Sequence, residues 1–216
     1  MSQISTETLT EPPSPTPLSV VKSDALTILL IRAGRTEYDC QNRIQGTLDV
    51  PLSERGRVQV AAAAAELSEA DLAVDAFYTG PCLSVRETAA ALAPVLSVKP
   101  KAIPGLYNLN MGLWQGLLFA DVKAKQPKVF RQWHEQPETV CPPEGESLAD
   151  ARQRLHQVLT KLAKKHKAGE TIAMLVSPPL ATVLSGLLRD EAVGGFCQSA
   201  DGGLRMWEKL AYPRSA

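Results

Sequence analysis

The stretch Thr27-Ile28-Leu29-Leu30-Ile31-Arg32-Ala33-Gly34-Arg35-Thr36-Glu37-Tyr38-Asp39 decides how the rest of the chain is read. Its first residues are apolar and partly β-branched, and they run directly into a glycine turn. That is the pattern of a short buried strand. A helix signal follows it. Pro51-Leu52-Ser53-Glu54-Arg55-Gly56 leads into the run Ala61 to Ala65, with Ser53 as candidate N-cap.

The alternation of strand and helix continues along the chain. Asp75 to Thr79 predicts a second strand, Pro81 to about Ala93 a helix, and Val98 to Ile103 a short strand. Leu113 to Trp133 predicts one or two helical segments broken near Pro127. Ser147-Leu148-Ala149-Asp150 is a capping-box-like start for an amphipathic helix reaching about Lys167. Thr171 to Val176 predicts a buried strand, Leu180 to Leu188 a helix, and Leu204 to Leu210 a last strand. This order argues for an α/β three-layer sandwich with a mostly parallel central sheet. Ligands of such sheets sit at the carboxyl ends of the strands. There is no internal repeat.

Residues 1–24 are rich in Ser, Thr, Pro and Glu. The stretch Thr10 to Pro17 has little to bury, so the reading is a disordered tail before one domain spanning 25–216. A chain of 216 residues with 44% hydrophobic and 21% charged residues fits one soluble domain with a sizeable core. The formal net charge of +0 gives no electrostatic reason to expect nucleic acid or an acidic membrane as partner. No apolar run is long enough to span a bilayer. A basic region followed by an apolar stretch is missing at the N-terminus, which predicts a cytoplasmic location. Cys40, Cys82, Cys141 and Cys197 are widely spaced, so reduced thiols and no metal site are expected.

Four segments in order carry a family resemblance. The first is Arg32-Ala33-Gly34-Arg35-Thr36 with Asn42, Gln45, Gly46 and Gly56 after it. The second is Tyr78-Thr79-Gly80-Pro81 through Thr88-Ala89. The third is Leu106 through Gly112-Leu113-Trp114-Gln115-Gly116, and Gly145-Glu146-Ser147 follows it. The fourth is Thr171 to Leu188. Together they resemble the histidine phosphatase superfamily, the phosphoglycerate mutase-like fold, over roughly Leu26 to Leu210. The resemblance implies a strand ending in Arg-His-Gly, whose histidine takes up the phosphoryl group. It also implies two arginines, a second histidine and a proton-donating carboxylic acid around the phosphate.

The chemistry fails where the resemblance places it. The nucleophile position is Ala33. The second arginine falls at Ser84, and Arg86 lies about 200° around the helix from it. The acid falls at Asn108, whose amide supplies no titratable proton. The second histidine falls at Pro178, although Ser177 as N-cap and Pro178 in the first turn still make a sound helix start. Arg32 is left with two readings. It is an anion ligand alongside Gln45 and Gly46, or a structural arginine paired with a nearby carboxylate such as Asp39. The histidines His134, His156 and His166 fall on helices away from strand ends. His166, in Lys164-Lys165-His166-Lys167, reads as part of a basic helix terminus.

The expectation is therefore a catalytically inactive histidine phosphatase-like protein, a pseudophosphatase with a binding or regulatory role and no cofactor. The alternatives are a phosphomonoesterase with weak or altered activity and a small-anion sensor. The expected partner is a protein of unknown identity or a small anionic ligand.

Overall fold

The computed structural model describes residues 25–193 and 205–213. The predicted tail, Cys197 and the first residue of the predicted last strand lie outside them. The chain runs β1 (Ala25–Arg32), α1 (Glu37–Cys40), α2 (Glu54–Glu69), β2 (Ala76–Thr79), α3 (Leu83–Leu96), β3 (Pro100–Ala102), α4 (Phe119–Lys125), α5 (Pro127–Glu135), α6 (Leu148–Lys165), β4 (Thr171–Val176), α7 (Pro178–Arg189) and β5 (Trp207–Pro213). Single 3₁₀ turns at Pro104–Leu106, Gly112–Trp114 and Pro137–Thr139 link the middle elements.

The strands form one sheet in the order β3-β2-β4-β1-β5. All neighbours are parallel except β5, which runs antiparallel on the edge beside β1. Alternation along β1 builds two cores, because successive side chains of a strand point to opposite faces. Leu26, Ile28 and Leu30 join one cluster with residues of α6 and α7. Leu29 and Ile31 join the other with residues of α2 and α3. Helices therefore cover both faces of the sheet. Among the described residues, no helix is long and apolar enough to cross a membrane.

The local signals act as expected at several termini. Ser53 Oγ accepts the Gly56 N–H at the start of α2. Ser147 and Asp150 form a reciprocal capping box on α6. Proline at the first position of α5 marks the break from α4. The last strand begins later than predicted, at Trp207. Its pairing with β1 carries it to Pro213, and proline is tolerated there because β5 is an edge.

Candidate functional site

The degenerate positions lie in the segments that follow the carboxyl ends of the parallel strands. Ala33 comes directly after β1, and its N–H extends the ladder to the Val176 carbonyl at 2.9 Å. Pro178 comes two residues after the end of β4, whose Val176 is in register with Arg32. Ser84 is in the first turn of α3, after β2. Asn108 follows β3 and the turn at Pro104–Leu106. Hydrogen bonds tie these segments together. The Gly34 N–H donates to Thr88 Oγ1, which donates to the Ser84 carbonyl. Only glycine fits at position 34, since a Cβ there would lie 2.7 Å from the Gly56 carbonyl oxygen.

Ala33 is 2% exposed and belongs to the apolar cluster of Ile31, Leu52, Val60 and Val85. Ser84 is buried, and Arg86 points to solvent as its helical offset predicts. Asn108 is buried too. Its Nδ2 donates to the Gly46 carbonyl at 2.7 Å, and its Oδ1 has no partner among the described residues. Gly46 has φ +61°, and a Cβ on it would lie 2.1 Å from Gln115 Oε1. Gln45 accepts from Thr36 Oγ1 and donates to the Leu48 carbonyl. Gln45, Gly46 and Asn108 thus bond to the protein itself.

The loop carrying Asn108 is pinned from α6. Arg154 donates to the carbonyls of Gly105 and Tyr107, pairs with Glu146 at 2.8 Å, and lies 3.7 Å over the Tyr107 ring. Glu146 also accepts the Asn110 N–H.

Two helix N-termini flank the site, and neither offers the usual set of N–H donors to an anion. At α7 the first two residues are Pro178 and Pro179, which have no N–H. Ser177 occupies the N-cap position but makes no side-chain cap bond, so the cap predicted from the sequence is positional only. Its Oγ is buried without a hydrogen bond among the described residues. At α3 the Leu83 N–H is already met by Asp49 Oδ1 at 2.9 Å. A carboxylate there repels an incoming anion.

Arg32 corrects one expectation. Its partner is not Asp39. Asp39 instead forms a capping box with Thr36 on α1. The Arg32 guanidinium turns to β5 and the residues just before it, where Nη1 donates to the Arg205 carbonyl and Nη2 to Glu208 Oε1 at 2.7 Å. Glu208 also accepts from Arg189 at the end of α7. Burial pushes the Glu208 carboxyl up, but hydrogen bonds and charge from Arg32 and Arg189 together outweigh it and hold the carboxyl below its ordinary value.

The histidines stand apart from this site. His134 and His156 are exposed on α5 and α6. His166 caps the basic C-terminus of α6, as the sequence predicts, and it is also buried. It is 9% exposed, with Nε2 2.9 Å from Tyr78 Oη and Nδ1 2.7 Å from Glu170. Lys165 donates to the same Tyr78 oxygen. The signal in the sequence for the Nδ1 contact was Glu170, four residues after His166. Cys82 is buried, while Cys40 and Cys141 are exposed.

Three carboxyls sit below their ordinary range of 3.8 to 4.5: Asp150 through its bonds from Ser147, Glu170 through its bond from His166 against burial, and Glu208 as above. The folded chain thus binds fewer protons there than the unfolded chain. These groups stabilise fully above the ordinary range, and the contribution is lost as pH falls through the lowered values. We expect the urea midpoint to fall as pH drops below about 4.5. Glu208→Gln should remove part of that slope. An acid limb unchanged by Glu208→Gln would remove Glu208 from this account.

Residues 28–191 match the histidine phosphatase superfamily (branch 1). Phosphoserine phosphatase 1 of Hydrogenobacter thermophilus is 31% identical over 161 residues, covering 74% of this chain and 75% of the relative. A bifunctional protein of Mycobacterium tuberculosis is 28% identical over 157 residues, and the chain spans only 43% of its length. The structure of mycobacterial glucosyl-3-phosphoglycerate phosphatase superposes with a TM-score of 0.74 at 26% identity, covering 87% of this chain and 90% of the other.

Proposed function

We propose that this chain, which belongs to the histidine phosphatase superfamily (branch 1), is a catalytically inactive member with a binding or regulatory role. The observation that carries the reading is Ala33, a buried methyl group packed in an apolar cluster at the end of β1, where the resemblance calls for the nucleophile. A methyl group neither attacks phosphorus nor holds a proton.

The surroundings support the reading independently. Asn108 stands at the acid position, and its amide is bonded to Gly46. Two prolines remove N–H donors from the start of α7. Asp49 closes the start of α3. His166 is held by Tyr78 and Glu170 beyond the α6 terminus, just before β4. Phosphoryl transfer depends on donors aimed at the developing charge, and here donor after donor is missing or engaged.

The phosphatase names of the relatives favour a second reading, a weak phosphomonoesterase. One experiment separates the two. The purified protein is incubated with p-nitrophenyl phosphate and, separately, with a labelled phosphomonoester followed by a search for acid-labile phosphohistidine. Neither turnover above the no-enzyme rate nor label on protein is expected. Steady turnover that disappears in Arg32→Ala would overturn the inactive reading in favour of the second.

A further inference from the structure

We infer that Glu208 is an internal counter-anion that occupies Arg32, and that the site is a latent one for a tetrahedral oxyanion of the phosphate class. The inference rests on the reading above, since Arg32 directly precedes Ala33 at the end of β1.

The register of the edge strand places Glu208 there. Glu208 lies opposite Leu30 on the antiparallel β1–β5 pair. Arg32 is two residues further along β1, on the same face and diagonal to Glu208, within reach of a long side chain. The Arg32 N–H also donates to the Met206 carbonyl, so backbone and side chain of Arg32 both face this strand. The pair is nearly enclosed, with side chains 9% and 19% exposed.

The contact is incomplete in a specific way. An arginine presents Nε and Nη2 as one edge that matches two oxygens of an oxyanion. Glu208 fills only half of that edge. Its Oε1 meets Nη2, and its Oε2 turns to Arg189. Arg32 Nε is buried with no hydrogen-bond partner among the described residues. A phosphate oxyanion replacing Glu208 would take both Nε and Nη2. The carboxylate therefore holds the arginine with one bond where an external ligand makes two. The charges around it are Arg32 and Arg189 against Glu208, with Glu191 acting on the Arg189 side.

The test uses inorganic phosphate as the probe, titrated calorimetrically at low ionic strength into the full chain. Compared are the wild type, Glu208→Gln, and Glu208→Gln combined with Arg32→Ala. Glu208→Gln is expected to bind phosphate about tenfold tighter or better than the wild type, the worth of one released charge-assisted hydrogen bond. The double variant should lose that gain. Equal affinity in Glu208→Gln and wild type would overturn the inference, as would a gain that survives Arg32→Ala. Should Glu208→Gln not fold, Glu208→Asp withdraws the carboxylate by one methylene, and the same comparison applies. Phosphomonoester turnover is measured on every variant. Turnover by the wild type would sink the inactive reading, while the phosphate titration alone decides the role of Glu208.

Discussion

Ala33→His alone is expected to restore no phosphatase activity and to weaken the fold. The imidazole would enter an apolar cluster that includes Leu52, Val60 and Val85, in which the alanine is 2% exposed. Overpacking of this kind costs about 1–3 kcal/mol, and ring nitrogens left without partners add to it. Catalysis would gain almost nothing. Groups that act as a unit are non-additive, and removing a nucleophile alone costs about as much as removing the whole set, on the order of 10⁶. Restoring one member to a site without the others should show the same behaviour in reverse. The combined variant Ala33→His, Ser84→Arg, Asn108→Glu, Pro178→His supplies a nucleophile, a second arginine, an acid and a second imidazole. It also breaks the Asn108–Gly46 bond and leaves Pro179 without an N–H. Pro179→Gly belongs in the set for that reason. The measurement is p-nitrophenyl phosphate turnover by the single and combined variants, each first shown to unfold cooperatively in urea. Substantial turnover by Ala33→His alone would mean that other residues already complete the site.

Much of the fold was legible because its signals are local. The apolar run of β1 and the capping residues Ser53 and Ser147 act within a few positions of themselves. The degenerate positions were legible because each lies at a fixed offset in a motif. Partners from distant segments were not. Arg32 bonds to Glu208, 176 residues away along the chain, and only the pairing of an edge strand brings the two together. Asp39 is a carboxylate close by in sequence, but its own turn holds it through Thr36. Asp49 caps α3 from before α2 and β2 in the chain, and Cys82 stands at the N-cap without bonding through its side chain. His166 lies in the basic helix terminus its neighbours predict, but its burial was not legible. Flanking lysines mark the helix end, while the Tyr78 oxygen that bonds the ring comes from distant β2.

The loop that carries Asn108 should be the most sensitive part of the site to a single change on α6. Arg154 holds it with two bonds to backbone carbonyls, at 2.8 and 3.0 Å, and stacks over Tyr107. The same guanidinium neutralises Glu146, and the side chains of that pair are 13% and 11% exposed. Arg154→Ala therefore leaves a nearly buried carboxylate without its counter-ion and two carbonyls without their donor. Breaking such a pair from one side costs roughly 3–5 kcal/mol, a large part of the stability of an ordinary domain. Glu146→Ala should also destabilise, since it frees the Asn110 N–H as well as Arg154. The double variant should cost less than the sum of the two, because neither charge is then left behind. Urea midpoints of the wild type, the two single variants and the double variant close the cycle. Additive costs would show that Arg154 and Glu146 act separately. In that case the pinning of the loop would rest on the carbonyl bonds and the Tyr107 ring alone.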